Sequence, residues 1–262
     1  MIIELELNKS VDQNASKYFE KAKKLRKKMD GVKKAIIESE KRLDKAKKAH
    51  EKKSDFEEKA ILEKSRKKEW YEKFRWFFSS DGFLVIGGKD ASSNELLIKK
   101  YVEKNDLIFH TEAAGSPFFI VKNPSKKDIP ESTLKEAACA TLTFGRAWSQ
   151  SIKSAEVYHV FPDQVSKEAK SGEFIQKGAF MITGKRTYHK PFVSLSCGIT
   201  SSGAVMCGPV SAIKSHCNKF VEIVQGDLKK GEISKVLMKK LDLHTNDDII
   251  AGLPAGNFKI VN

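Results

Sequence analysis

The sequence contains 262 residues, of which 40% are apolar and 31% are charged, and its formal net charge at pH 7 is +14. This length allows one domain of moderate size with an accessory element. No run of 18 apolar residues occurs, and the N-terminus has neither a basic region nor a long apolar core, so we expect no membrane span and no secretory signal.

The positive charge is concentrated towards the N-terminus. Residues 1–80 hold 24 Lys and Arg against 15 Asp and Glu, whereas the remaining residues hold 24 against 19. A basic surplus of this kind is typical of proteins that bind a polyanion such as nucleic acid or a ribosome. The alternative is a solvated helix whose charged side chains serve only to keep it soluble.

The first elements in chain order are a short strand and a long helix. Residues 2–7 alternate apolar and acidic side chains, which predicts a strand. From Val11 to Ala46, apolar side chains recur at alternating steps of four and three, and this heptad seam predicts a coiled-coil helix from 11 to near 49. Four lysines of this arm are candidate ribosome contacts: Lys23, Lys24, Lys27 and Lys28.

The arm is predicted to turn back on itself. The seam weakens after residue 49, so we expect a turn near Ser54 and a second helix from Phe56 to Phe77. Gly31 marks a rival turn site, but the seam passes through it in phase. The prediction is therefore an antiparallel coiled-coil hairpin of unequal arms, whose seam requires a partner inside or outside the chain.

A globular pattern begins near residue 78, after a cluster of aromatic side chains that we expect to be buried. The predicted strands are 83–87, 106–110, 118–122, 157–161, 179–183, 192–199, 204–208, 219–224 and 258–261. The predicted helices are 92–103, 132–149, 163–171, 231–241 and 246–252, and small residues mark 132–149 as the central buried helix. Helices do not alternate regularly with strands, so the predicted fold is α+β with a largely antiparallel sheet and packed helices.

A glycine turn at residues 87–90, with the sequence GGKD, precedes a helix predicted to begin at Ser92 with Glu95 in capping-box position. Backbone N–H groups at such a turn, together with Lys89, can hold a phosphate, whereas a plain tight turn explains the glycines equally well. The pattern matches neither G-x-x-x-x-G-K-[ST] nor G-x-G-x-x-G, so a nucleotide-binding enzyme is poorly supported.

Three residues invite comparison with a hydrolase: Asp106, His110 and Ser116. Ser116 lies in an Ala-Gly-Ser-Pro turn and not in a nucleophile elbow, so a hydrolase is not the favoured interpretation. His110 could contact RNA, or it could be a core histidine that a carboxylate or the backbone satisfies. We find no general acid and base pair, and we expect no enzyme activity.

Further basic clusters occur in the loops, and Lys185 and Arg186 precede Tyr188 in a pattern suited to phosphates and unpaired bases, or to a solvated loop. The histidines lack metal-ligand spacing, so we expect neither metal nor cofactor. Four cysteines without CxxC spacing indicate buried free thiols: Cys139, Cys197, Cys207 and Cys217.

Several long motifs resemble the coiled coil and R domain of the NFACT family. They are KSVDQNASKYFEKAKKLRKK, the run from EWYEKFRWFF through GFLVIGGKD to SPFFIVKN, FPDQVSKEAKSGEFIQKGAFMITGKRTYHKP and the closing LPAGNFKIV. The family includes the eukaryotic nuclear export mediator factor and bacterial proteins once labelled fibronectin-binding, and this chain most resembles an archaeal member. The resemblance covers nearly the whole chain.

The resemblance implies a non-enzymatic, cytoplasmic factor of ribosome-associated quality control. Such factors bind a large ribosomal subunit that carries peptidyl-tRNA and help to recruit tRNA for template-free C-terminal tailing. Family members also carry an NFACT-N domain and a helix-hairpin-helix region upstream of the coil, and this chain resembles the part that follows them. A protein–protein scaffold, or a homodimer formed through the coiled coil, is the alternative.

The resemblance also implies which residues contact RNA. The family's R domain is regarded as RNA-binding, and the matching motif positions are Gly88, Lys89, Asp90, Asn94, His110 and Lys122. Lys89 stands where many relatives have Arg. The predicted domains are 1–78, a strand and coiled-coil hairpin, and 79–262, an R-like α+β RNA-binding domain.

Overall fold

The structure is a computed structural model that describes residues 3–113, 115–167 and 176–261, without the side chains of residues 49, 51–58, 60 and 62–65. The chain divides into two compact units, Met1–Lys59 and Ala60–Asn262. The α-helices are α1 (Val11–Ser65), α2 (Ala91–Tyr101), α3 (Glu131–Thr143), α4 (Arg146–Ser149), α5 (Val210–His216), α6 (Lys230–Leu241) and α7 (Asp247–Gly252).

The strands are short and all of their pairings are antiparallel. They are β1 (Arg75–Phe78), β2 (Leu84–Gly87), β3 (Leu107–His110), β4 (Phe119–Val121), β5 (Val157–Val160), β6 (Val165–Ser166), β7 (Met181–Ile182), β8 (Thr187–His189), β9 (Leu195–Thr200), β10 (Val205–Gly208), β11 (Cys217–Leu228) and β12 (Phe258–Ile260). This architecture confirms the predicted α+β class with antiparallel sheets.

The first unit differs from the prediction at its start. Residues 3–6 are irregular where a strand was predicted, and Ile2 lies outside the described residues. The segment instead folds back on α1, because the Asn14 side chain accepts a hydrogen bond from the Glu6 N–H at 2.9 Å and donates one to the Glu6 carbonyl at 3.1 Å. An amide side chain thus satisfies the backbone groups that a partner strand would have paired.

The long N-terminal helix is confirmed, but the predicted turn near Ser54 is wrong because α1 continues through it to Ser65. The sequence around Ser54 contains neither Gly nor Pro, so nothing there forces the helix to end. The second predicted arm, 56–77, ends instead in a 3₁₀ turn at Trp70–Lys73 and then β1. The seam side chains of α1 remain exposed, among them Leu25, Met29, Val32, Ile36 and Leu43.

The second unit contains a six-stranded sheet, in the order β1-β2-β4-β3-β5-β8, and a four-stranded sheet, in the order β10-β9-β11-β12. β6 and β7 form a separate pair. β1 also packs against β10, which brings the two sheets together, and buried Phe77 lies against Gly208 at this junction. β1 ends at Phe78, the last residue of the first predicted domain, and pairs with β2 of the second; the predicted domain division at 78 stays a prediction.

α3 lies on the six-stranded sheet and contacts β3, β4 and β5. Ala137, Ala138 and Ala140 are fully buried, because small side chains allow the helix backbone to approach the strands closely. The predicted helix 132–149 is interrupted at Gly145, so it forms α3 and the short α4. α3 is nevertheless the buried central helix that its composition predicted.

The remaining differences lie where tertiary contacts decide local structure. Residues 163–167 form a 3₁₀ turn and β6 in place of a predicted helix, and the rest of that prediction lies outside the described residues. β1, β8 and α5 were not predicted from the sequence. All four cysteines are free and buried, and Cys197 and Cys207 face each other across β9 and β10 with 3.3 Å between their Sγ atoms.

Candidate nucleic-acid interface

The glycine turn between β2 and α2 uses its own backbone donors. The N–H of Gly88 donates to the Phe118 carbonyl at 3.1 Å, and the N–H groups of Lys89 and Asp90 both donate to Ser93 Oγ at 2.8 Å. The backbone cradle considered for phosphate is therefore already occupied by protein groups. What the turn presents to a ligand is the half-buried side chain of Lys89.

The cap of α2 also differs from the predicted one. Asp90 is the N-cap and accepts a hydrogen bond from the Ser93 N–H at 2.8 Å, whereas Ser92 and Glu95 were predicted for the capping box. Bonds from the Ser93 and Ser92 N–H groups lower the pKa of Asp90. Glu95 instead pairs with Lys99 at 2.7 Å and Lys167 at 2.8 Å.

Asn94 and His110 hold the segment that follows the next loop. Asn94 is buried, and its Oδ1 accepts a hydrogen bond from the Phe118 N–H at 3.2 Å. The His110 ring stacks on the Phe118 ring at 3.9 Å between centroids, and its Nδ1 lies 3.1 Å from the Pro117 carbonyl. Asn94 and His110, two of the matching motif positions, therefore support the loop from inside the fold. This agrees with the alternative in which His110 is a core histidine.

Lys122 is a buried cation that the protein itself neutralises. Its Nζ lies 2.6 Å from Asp106 Oδ2 and 2.6 Å from the Tyr101 carbonyl. Asp106 is fully buried and also accepts hydrogen bonds from the backbone N–H groups of Glu103 and Asn123, each at 2.8 Å. This arrangement ties β4 to the end of α2, so Lys122 contributes little charge to the surface.

Arg186 and Lys185 lie just before β8 on the other edge of the sheet. Arg186 pairs with Glu112, and its guanidinium lies 4.7 Å from the centre of the Tyr158 ring. Lys185 is exposed, and Tyr188 is 51% exposed, so this edge combines an exposed cation with an accessible ring. The arm residues Lys23, Lys24, Lys27 and Lys28 are exposed on α1.

Asp106, His110 and Ser116 do not form a hydrogen-bonded triad. Asp106 bonds Lys122, His110 bonds the Pro117 carbonyl, and Ser116 Oγ is buried with no hydrogen-bond partner in the described part of the chain. Within the described ranges, no three His, Cys, Asp or Glu side chains lie together as a metal site. In the same ranges no helix is long and apolar enough to cross a membrane.

The buried imidazole of His110 predicts a pH dependence of stability. Burial lowers the pKa of His110 to about 4, below the ordinary value of 6.5, so the unfolded chain binds a proton first as the pH falls. The stability that His110 contributes is complete above pH 6.5 and is lost between pH 6.5 and about 4. Urea titrations at several pH values should show a shallower loss over this window for His110→Phe than for the wild type.

If the free energy of unfolding were lower in the variant by the same amount at every pH, the difference would report only the lost bond to Pro117. The informative quantity is therefore the slope of the unfolding free energy against pH. Because burial also lowers the pKa values of His159 and His189, part of the slope should remain in the variant. If His110→Phe left the slope of the unfolding free energy against pH unchanged, His110 would not be a source of the pH dependence.

Comparison with known proteins identifies the globular part. Residues 73–184 match the family model for the NFACT protein RNA binding domain, NFACT-R. The chain is 36% identical over 202 residues to the archaeal Rqc2 homolog aRqcH of Methanocaldococcus jannaschii, a match that covers 75% of this chain and 30% of that protein. It is 35% identical over 182 residues to the human ribosome quality control complex subunit NEMF, covering 68% of this chain and 16% of that protein.

The solved C-terminal part of the fibronectin/fibrinogen-binding protein from Streptococcus suis matches at 18% identity with a TM-score of 0.40, over 48% of this chain and 47% of that one. The matches to the archaeal and human relatives span less than a third of their length. The antiparallel α+β body described above carries an NFACT-R domain. The chain therefore contains an NFACT-R domain and is similar in sequence to the Rqc2 and NEMF proteins.

Proposed function

We propose that this chain is an RNA- and ribosome-binding module of a ribosome-associated quality-control factor. It engages large ribosomal subunits that carry peptidyl-tRNA and supports tRNA recruitment for C-terminal tailing. Its place of action is the cytoplasm, and it acts by binding and not by catalysis. Its proposed partners are ribosomal RNA and protein, tRNA, and the NFACT-N and helix-hairpin-helix regions that the family carries.

The observation that carries this proposal is the match of residues 73–184 to a domain described as RNA-binding. The net charge of +14 supports it, because cations attract a polyanion and release its counterions. Of the predicted contact residues, the proposed direct contacts to RNA are Lys89, Lys185, Arg186 and the arm lysines. Gly88, Asp90, Asn94, His110 and Lys122 act by holding the surface in shape.

Filter binding of purified large subunits and of tRNA over a range of salt concentrations tests the proposal. We expect binding at low salt, with the affinity falling by about 0.7–0.9 log unit per phosphate contact for each log unit of salt. The charge-reversed arm variant, Lys23→Glu, Lys24→Glu, Lys27→Glu and Lys28→Glu, should lose about tenfold or more in affinity and show a smaller slope.

The matched control reverses four exposed lysines of the second unit: Lys219, Lys235, Lys239 and Lys240. Both variants change the net charge equally, so a larger loss in the arm variant assigns contacts to the arm. Equal losses would mean that binding follows net charge and not the arm. Failure of the wild-type chain to bind either RNA at low salt would refute the proposal.

The exposed seam on α1 supports a second candidate function, a coiled-coil scaffold. Leu25, Met29, Val32 and Ile36 are each more than half exposed, and an apolar stripe of this kind marks an interaction surface. Its proposed occupant is a second copy of the chain or the upstream region of the same protein. Light scattering during size exclusion separates a monomer from a dimer, and the arm variant should bind RNA normally if the arm serves only this purpose.

A further inference from the structure

Two basic side chains from separate parts of the sequence line a small depression beside the glycine turn, and a third lies within electrostatic range of both. Arg75 lies in β1, Lys89 lies in the turn before α2, and Lys230 begins α6. Arg75 and Lys89 line the depression together with Gly252 of α7 and the carboxylates of Glu72 and Asp248. Lys230 is close enough to both for their charges to repel its own.

Arg75 is a largely buried cation that pairs with no carboxylate among the described residues. Its Nη1 donates to the Gly88 carbonyl at 2.9 Å, and its guanidinium lies 5.1 Å from the centre of the Phe144 ring. Its Nε is buried and has no acceptor among the described residues. A buried charge that lacks an opposite charge is costly, so the arrangement calls for an anion.

The two lysines add to this excess of positive charge. Lys89 and Lys230 are half-buried, and neither forms an ion pair in the part of the chain that the structure describes. Burial, and next the charge of Arg75, lower the pKa values of both lysines. Burial lowers the pKa of Arg75 to about 10.

The carboxylates around the depression are committed to other groups. Asp248 pairs with Lys68, and Glu72 pairs with Arg66 at 2.5 Å. Asp90 caps α2. The three cations therefore keep a net positive charge at a site that is partly shielded from water, where an electrostatic contact is stronger than on an open surface.

We propose that Arg75, Lys89 and Lys230 together bind one backbone phosphate group of RNA. This inference rests on the proposed function and names the chemistry of the site that meets the RNA. The fork of Arg75 and two flexible ammonium groups provide several donors for phosphate oxygens, which is a suitable set for a tetrahedral anion. A contact to phosphate positions the RNA without reading its sequence.

The test compares the salt dependence of tRNA binding for the wild-type chain and for Lys89→Ala, Lys230→Ala and the double variant. Each single variant should reduce the slope of log K against log salt by about 0.7–0.9, the value for one phosphate. The double variant should lose no more than this, because both lysines contact the same phosphate. Lys229→Ala is the matched control, since Lys229 is the exposed neighbour and its replacement removes the same charge.

The outcomes separate this inference from the proposed function. If the wild-type chain binds tRNA and the slopes of all variants equal its slope, the phosphate site is refuted while RNA binding stands. If the slope of log K against log salt falls in the double variant by the value for two phosphates, the two lysines do not share a single phosphate. If the wild-type chain binds no RNA, both proposals fail.

A second measurement distinguishes RNA phosphate from a small phosphate compound. Thermal unfolding is followed with inorganic phosphate and with chloride at equal ionic strength, which also shows that each variant is folded. Phosphate should raise the melting temperature of the wild-type chain more than chloride does, and Lys230→Ala should lose this difference while Lys229→Ala keeps it. Phosphate stabilisation that depends on Lys230, combined with unchanged tRNA slopes, would assign the site to a free phosphate compound and overturn the RNA assignment.

Discussion

Asp106→Ala is expected to lower the free energy of unfolding by about 3–5 kcal/mol, the cost of removing one partner of a buried ion pair. The Lys122 ammonium lies 2.6 Å from Asp106 Oδ2 and would be left as a buried charge, whose remaining partners among the described residues are the Tyr101 carbonyl and the more exposed Glu103 carboxylate. The backbone N–H groups of Glu103 and Asn123 would also lose their acceptor. Urea denaturation followed by tryptophan fluorescence measures this change.

The double variant Asp106→Asn with Lys122→Met tests the cause of that loss. The Glu103 and Asn123 N–H groups bond different oxygens of Asp106, so Asn keeps an acceptor for one of them, and Met fills the space of the lysine stem without its charge. We expect the double variant to be less destabilised than Asp106→Ala, because it leaves no buried lysine charge without its partner. An equal or larger loss would show that the charge of Lys122 is not what makes the single substitution costly.

Glu131→Ala provides the matched control for an ion pair on the surface. Glu131 and Lys135 lie 3.5 Å apart on α3, and their side chains are 68% and 70% exposed. Exposed pairs contribute about 0–1 kcal/mol because water screens them. A change of several kcal/mol in this control would remove burial as the explanation for Asp106.

Gly87→Val is expected to destabilise the second unit by about 3 kcal/mol through overpacking. A Cβ atom at Gly87 would lie 2.4 Å from the ring of Phe119, which is fully buried on the neighbouring strand β4. The ring cannot move away, because the core around it is closely packed. Thermal unfolding and near-ultraviolet circular dichroism should show a lower melting temperature and altered aromatic packing.

Gly231→Ala is the control for this substitution and should act in the opposite direction. Gly231 is exposed in α6, and nothing lies within 4 Å of the position that its Cβ would occupy. Ala has a higher helix propensity than Gly, so the variant should gain up to about 1 kcal/mol. Loss of stability in both variants would point to a general intolerance of substitution and not to contact with Phe119.

Most of the strands could be predicted because their signals are local. The runs 83–87 and 118–122 are short, apolar and bounded by glycine, proline or polar residues. They form β2, which begins one residue later than predicted, and β4, which is one residue shorter at each end. The small residues of α3 likewise predict close packing on a sheet. In these cases, the pattern along the chain already states which side chains must be buried.

The failures arise where distant residues decide the outcome. Trp76 and Phe77 belong to a run of aromatic residues with helical spacing. They nevertheless form part of β1, because β2 supplies a partner strand. From the sequence Lys122 resembles a surface cation, because nothing local shows that Asp106 lies beside it. Lys89 and Arg75 line one depression only in the folded structure. Propensity and periodicity cannot express these pairings, because each depends on residues far away in the sequence.

The facing thiols of Cys197 and Cys207 can report on the opening of the four-stranded sheet. Cys139 and Cys217 are buried as well, so in the native state a labelling reagent can reach none of the four sulfur atoms freely. The rate of alkylation then measures how often the surrounding strands separate. Such kinetics would reveal transient opening of this sheet in conditions where the bulk protein stays folded.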